Sequence, residues 1–337
     1  MTKKTRYPYR SLDATVPMHR RALDATQPMR PLRRMTSPKQ RVRAILTALL
    51  LAAVALLAAA TAVTGSACIF LEWAASQPPR TVLILGIDRR PGQGNVVRSD
   101  TLVLASFQPA APHAALLSIP RDLYVDVPGY GSNRINTAHF WGENETAGGG
   151  PALAMQTVTY NFGVPVDHAI RVDFDGFRAV IDAVGGIDVY VEEAIVDDEY
   201  PTEDYGTIRI EIPAGLQHMD GETALQYARS RHGSSDFDRA ARQQQILSAL
   251  AERLLQPATW PRLPAVYLAV TSHVDTDMGL GDLLLCTITV LQTGPTGLEQ
   301  RVIDQDMTQP WTTPSGGAVL LPRWELINPL VQELFFP

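Results

Sequence analysis

Thr81-Val82-Leu83-Ile84-Leu85-Gly86 is an apolar run closed by glycine, the pattern of a strand buried on both faces. Two runs of the same kind follow, Thr101 to Phe107 and Ala114 to Ile119, with Pro-rich turns between them. Asp88 leaves the first strand and Asp100 enters the second. They stand twelve residues apart, and the loop between them must return to the same sheet edge, so the two carboxylates can meet in space.

Beyond these strands the periodicity changes. Pro151 to Phe162 reads as a helix, Asp167 to Val172 as a strand, Gly176 to Val184 as a short helix and Ile187 to Val191 as a strand. Gly185-Gly186 suit the positive φ of a helix C-terminus. Asp220 is placed to cap a helix from Gly221 to about Ala228, and Ser235 with Asp238 forms a capping signal for one from Asp236 to about Leu255. In that last helix Ile246, Leu247, Leu250 and Leu254 fall at helical spacing. Arg239, Arg242 and Gln243 lie on one side of its first turns, where exposed N–H groups favour anions. Strands and helices intermix, so the expected class is α/β layering. Pro257 to Pro264 interrupts the chain before a last βα-like portion, which is not cut off as a separate domain.

Ahead of all this, Ala44 to Leu71 holds 28 residues without a charge, enough for a helix to cross a bilayer. Residues 1–43 carry 12 Lys/Arg against 2 Asp/Glu, which marks that side as cytoplasmic. Trp73 suits the outer interface. The apolar run is too long for the core of a cleaved signal peptide. The tail is rich in Pro, Arg, Met and Ser/Thr and shows no periodicity, so it reads as disordered. The expected layout is a basic cytoplasmic tail (1–43), a transmembrane helix (44–71) and an extracellular domain (72–337). Its core motifs occupy about 81–255, with an extension over 256–337.

The outer domain has 17 Lys/Arg and 33 Asp/Glu, a net charge of −16, which makes it a poor nucleic-acid binder. The chain's two cysteines, Cys68 in the span and Cys286 in an apolar run of the outer domain, are not expected to form a disulfide. No His/Cys cluster points to zinc, no nucleophile elbow is present, and nothing matches a phosphate-binding Walker loop. What remains is a set of arginines and carboxylates in short blocks: Asp88 in LGIDRR, Arg98 and Asp100 in VRSDT, Arg121 and Asp122 in SIPRD, Arg229 and Arg231 in YARSRH, and Arg239, Arg242 and Gln243 in DFDRAARQQQ. Guanidinium forks bind phosphate oxygens at two points, and paired carboxylates hold divalent cations. Together they point to a pyrophosphate with its metal, and the membrane tether points to a lipid carrier. Arg229 and Arg231 are two apart and reach one ligand only if the helix ends between them.

The blocks, in this order and spacing, resemble the LytR-CpsA-Psr (LCP) family of cell-wall polymer ligases. The resemblance runs from about Thr81 to Leu255. It implies a three-layer α-β-α domain with a central mixed sheet. It implies phosphoryl transfer of a glycan from a polyprenyl pyrophosphate to peptidoglycan, with Mg²⁺ (or Mn²⁺) held by Asp88 and Asp100. By the same resemblance Arg98, Arg121, Arg229 and Arg231 match the family's pyrophosphate-binding arginines, with Arg98 and Arg121 next to the two catalytic carboxylates. Arg239 and Gln243 match its helix-borne contacts, and Arg134 stands where the family more often has lysine. Asp122 is read as structural, paired with a nearby arginine; Arg242 stays open between site and surface ion pair, and His232 between polarising the substrate and a surface role. The helices around Phe174–Val184 and Ile246–Leu254 are candidate walls for a polyprenyl groove. A lipid-pyrophosphate hydrolase with the same site, and a non-catalytic sensor of lipid-linked glycan, are the alternatives.

Overall fold

In β1 (Arg80–Ile87) successive side chains enter two different cores. Leu83 and Leu85 pack with Leu102 and Leu104 of β2 (Ser99–Gln108) and with Ala115 and Leu117 of β3 (His113–Ser118). Val82 packs on the other face with Val103, Ala105 and Leu116. This is the period-two alternation of a sheet covered on both sides.

The computed structural model describes residues 69, 71–89, 93–202, 204–230, 236–294 and 297–336, all within one compact unit, Gly65–Pro337. Its six-stranded sheet has the order β11-β6-β1-β2-β3-β12, where β6 is His168–Val172, β11 Val274–Thr276 and β12 Leu298–Val302. The strands β1, β2 and β3 are antiparallel neighbours, while β6 runs parallel to β1 and β12 parallel to β3, so the sheet is mixed. Both edge strands come from beyond Pro257, so the last portion of the chain is built into the same sheet. One face is covered by α2 (Thr137–Glu145), α3 (Gly149–Phe162) and α9 (Trp324–Phe335), through Ala138, Val158 and Leu334 among others. The other is covered by α6 (Asp236–Leu255) and α8 (Leu280–Thr293), through Leu247 and Cys286.

A second core joins α4 (Phe174–Val184), α5 (Gly221–Arg229), α6 and α7 (Leu263–His273) with the ribbon of β7 (Ile187–Val191) and β10 (Gly215–Met219). The helix α4 starts two residues earlier than its sequence pattern indicates. Asp173 is its N-cap and accepts the Gly176 N–H at 2.8 Å, and Gly185 and Gly186 close its far end with φ of +86° and +79°. Asp220 caps α5 in the same way, accepting from the Thr223 N–H at 2.8 Å. Three hairpins have no counterpart in the sequence reading: β4–β5 (Tyr124–Val127 and Gly131–Arg134), β8–β9 (Ile195–Pro201 and Thr207–Ile212) and β13–β14 (Thr308–Thr312 and Ala318–Pro322).

Residues 1–43 and, apart from Ile69 and Leu71, the whole Ala44–Leu71 stretch lie outside the described residues. Among the described residues no helix is long and apolar enough to cross a membrane.

Candidate functional site

The site begins with an irregularity between β1 and β2. Gly86 pairs with Thr101 and Ile87 with Ser99, which leaves Asp100 as an extra residue on β2. Such a bulge re-aims a side chain. A Cβ on Gly86 would come 2.9 Å from the Thr101 Cβ, so glycine is needed for the strands to close here. Asp88, just past the end of β1, and Asp100 then line one cavity of about 640 Å³.

Arg121 holds Asp100 in place. Its Nη1 donates to Asp100 Oδ1 at 2.6 Å, and its other nitrogens lie 3.6 Å from Asp122 and 3.5 Å from Asp236. Burial works to lower the Arg121 pKa, but the hydrogen bond and charge of Asp100, with the charges of Asp236 and Asp122, outweigh it and raise it. Because Asp236 opens α6, this contact fixes the start of α6 beside the start of β2. Polar groups therefore collect at one end of the cavity. Along α6, Arg239 and Gln243 come first on the cavity wall and Ile246, Leu247 and Leu250 follow; along the strands Asp88 and Asp100 give way to Ile84 and Val103.

Arg229 completes the polar end. The helix α5 stops at this residue, and the Arg229 Nη2 lies 3.7 Å from Asp88 Oδ2. Its guanidinium carbon sits 4.0 Å from the centre of the Phe174 ring and 5.3 Å from that of Tyr200, and Nη1 donates to the Tyr200 hydroxyl at 3.1 Å. Burial pushes the Tyr200 hydroxyl's pKa up, against the opposing pull of Arg229. Arg239 is nearly buried, with Nη1 2.9 Å from Asp236 Oδ1. The Gln243 Nε2 donates to the Ala228 carbonyl at 3.4 Å. Phe174, Phe177, Val180 and Ile181 of α4 form the opposite apolar wall, so both helices read as groove walls do flank one cavity.

Other residues singled out from the sequence stand apart. Arg98 is exposed and does not line the cavity. Arg134 turns to the Ala318 carbonyl, at 2.6 and 3.1 Å, and to Asp122 at 3.2 Å. Asp122 is thus paired with two arginines. Arg242 was open between a site contact and a surface ion pair; its Nε donates to the Tyr227 carbonyl at 3.0 Å and its Nη2 to the Ser230 carbonyl at 2.5 Å, so it closes the C-terminus of α5 instead. Arg231 and His232 lie outside the described residues. Among the described residues no group of three or more His, Cys, Asp and Glu could hold a metal ion. The sequence reading missed Asp197 and Glu199 on β8, which line the cavity from a hairpin with no apolar periodicity, and Tyr200 of the same strand, which meets Arg229. It also missed the aromatic face that Phe174 offers Arg229.

The sequence profile of the LytR-CpsA-Psr family matches residues 58–314, and the chain belongs to that family. The mixed-sheet α/β domain is the fold of that family's solved members. It superposes on the crystal structure of Bacillus subtilis TagV with a TM-score of 0.63, at 28% identity, covering 78% of this chain and 100% of the other. A structure of TagT bound to LI-WTA gives a TM-score of 0.60 at 26% identity, covering 77% of this chain and 90% of that one. In sequence, the chain is 32% identical over 207 residues to the polyisoprenyl-teichoic acid–peptidoglycan teichoic acid transferase TagT of Bacillus subtilis, covering 60% of this chain and 62% of TagT. The chain spans about three fifths of the length of these curated relatives.

Proposed function

We propose that this chain is a membrane-anchored phosphotransferase that moves a glycan polymer from a polyprenyl-pyrophosphate carrier to peptidoglycan, leaving a phosphodiester link. The observation that carries this is the two-ended cavity: apolar walls from α4 and α6 lead to a polar end that holds Asp88, Asp100, Arg229, Arg239 and Gln243, while Asp173, Asp197 and Glu199 also lie on the cavity lining. A lipid diphosphate has the same division, a hydrocarbon tail and a charged head. The relative TagT is named for transfer of teichoic acid to peptidoglycan, and it has been solved with LI-WTA bound. The layout proposed with it is a cytoplasmic tail (1–43), one transmembrane helix (44–71) and an extracellular catalytic domain (72–337).

The chain's own residues divide the work. Phe174, Phe177, Leu247 and Leu250 exclude water from the tail. Arg229 and Arg239 hold diphosphate oxygens, with Gln243 as a neutral donor; Arg121, Arg98 and Arg231 are proposed to contribute further positive charge, and Arg134 to act only by holding Asp122. The acceptor hydroxyl attacks the phosphorus that bears the glycan. The bond from that phosphorus to the bridging oxygen breaks, polyprenyl phosphate departs, and the hydroxyl proton passes to one of the two carboxylates. Transfer of this kind needs positioning and charge neutralisation more than covalent catalysis. The bulge that aims Asp100 into the cavity beside Asp88 gives an all-oxygen pair suited to Mg²⁺ (or Mn²⁺), which takes carboxylate and phosphate oxygens and keeps several waters. When bound there, the ion would neutralise charge on the diphosphate.

The test incubates the purified chain with a polyprenyl-pyrophosphate glycan, Mg²⁺ and peptidoglycan fragments, and weighs the products. A glycan–phosphate–peptidoglycan adduct is expected. Free glycan phosphate as the sole product would make the chain a hydrolase, and unchanged substrate would make it a binding protein.

A further inference from the structure

The helix α8 is apolar on two sides. Leu285 and Ile288 are buried inward. Leu280, Leu284 and Leu291 point outward, 58%, 48% and 49% exposed. Spaced four and seven residues apart, with the exposed Thr287 between the last two, they form one stripe along the helix. The only charged residue of α8, Asp282, lies on the other side, where the Arg80 Nε meets it at 3.1 Å. A helix apolar all round is normally covered.

What lies next to the stripe indicates the cover. Ala74, just N-terminal to β1 in the helical turn α1 (71–75), is fully buried against Leu285 and Ile288. Ile288 is about 40° round the helix from Leu284, so α1 packs directly beside the stripe. Three residues before Ala74 the uncharged Ala44–Leu71 stretch ends, and exposed Trp73 follows it. An aromatic at such a point suits the membrane–water interface. α8 is therefore held within one helical turn of the place where, on the membrane-anchored reading above, the chain leaves the bilayer.

We propose that Leu280, Leu284 and Leu291 of α8 dock into the outer surface of the bilayer that anchors the chain. The docking would fix how the domain stands on the membrane. It matters for the site because α8 covers the same sheet face as the apolar end of the cavity: Cys286 of α8 and Leu247 of the cavity wall share the core formed by Val82, Val103, Ala105 and Leu116. The proposal rests on the membrane anchor but is separable from it.

The experiment uses the full chain in phospholipid vesicles, in a Cys68→Ala background. Burial pushes the Cys286 thiol up to about 12, so it remains unlabelled at neutral pH. An environment-sensitive fluorophore is placed at Leu284→Cys, at Leu291→Cys and, as control, at Asn144→Cys in α2 on the opposite face of the sheet. Flotation with the vesicles reports the anchor; quenching by lipids brominated on their acyl chains reports docking. The expected result is blue-shifted emission at both leucine positions, mostly lost with brominated lipid, and no quenching at Asn144→Cys. Floating protein whose leucine-position probes behave like the control overturns the docking and leaves the anchor standing. Blue-shifted but unquenched probes mean that protein covers the stripe, which also overturns it. A chain that fails to float removes the anchor and this proposal together.

Discussion

Arg121 Nη1 donates to Asp100 Oδ1 at 2.6 Å while its Nη2 lies 3.5 Å from Asp236 Oδ2, so one guanidinium ties the start of β2 to the start of α6. A lysine keeps the charge but has a single ammonium on a flexible stem and cannot span both carboxylates. Arg121→Lys is therefore expected to weaken binding of a polyprenyl pyrophosphate about tenfold to hundredfold, the worth of one charged hydrogen bond at roughly 1.5–3 kcal/mol. Arg134→Lys should bind close to the parent, because Arg134 is turned to Ala318 and Asp122. Titration calorimetry of both folded variants at one salt concentration checks this. Equal affinities would take Arg121 out of the site.

The two carboxylates face one cavity yet lean on different arginines, Asp88 on Arg229 and Asp100 on Arg121. Asp88→Asn and Asp100→Asn are nearly isosteric and remove the charge needed to hold a divalent cation beside phosphate. Each should abolish transfer while leaving the circular dichroism spectrum intact, and a chelator in excess should silence the parent. Transfer that persists in chelator, or in either folded variant, excludes the metal role.

The three central strands were legible because each is a short apolar run whose alternation both faces of the sheet reward. The cavity walls were legible for a similar reason, since α4 and α6 carry apolar residues at helical spacing. The hairpin β8–β9 was not. Its residues Asp197, Asp198 and Glu199 carry no periodic signal, and Tyr200 acquires its role only by meeting Arg229, 29 residues away in sequence. Arg242 shows the limit of spacing alone. Residues four apart, such as Arg239 and Gln243, diverge by about 40° on a helix, whereas Arg242 is rotated about 60° from Arg239 on the other side and faces the carbonyls that end α5. Which neighbour occupies that direction is a tertiary fact.

Cavity length should set chain-length preference. Leu250 lines the apolar end, partly buried. A larger indole there would take up space meant for the tail, so Leu250→Trp should lose affinity for a long polyprenyl pyrophosphate and keep it for a short prenyl pyrophosphate. If the ring cannot enter the cavity, overpacking would instead cost about 1–3 kcal/mol of stability. Affinities for the two lengths, with a thermal melt alongside, separate these outcomes. An equal loss for both lengths in a folded variant would mean that the tail lies elsewhere.

His139 is expected to make the stability of the domain depend on pH. It is fully buried, with Nδ1 2.7 Å from the Val97 carbonyl and Nε2 3.4 Å from the Arg171 Nη1. Arg171 itself is buried between Glu143 and Asp275. Burial is the largest influence and holds the His139 pKa below the ordinary 6.5; Arg171 lowers it further, while the Val97 carbonyl and Glu143 oppose. A group with a depressed folded pKa binds fewer protons folded than unfolded. Its stabilising contribution is full above the unfolded value of about 6.5 and is lost as pH falls from there through the folded value. Val97 directly precedes Arg98, Ser99 and Asp100, so a protonated His139 would disturb the segment that delivers Asp100. The parent should lose thermal stability as pH drops from about 7.5 to about 5, and His139→Gln, which cannot titrate, should show a shallower fall whatever its starting stability. Melting curves across that range for both proteins decide it: parallel slopes would assign the acid sensitivity to the carboxylates and leave His139 a packing residue.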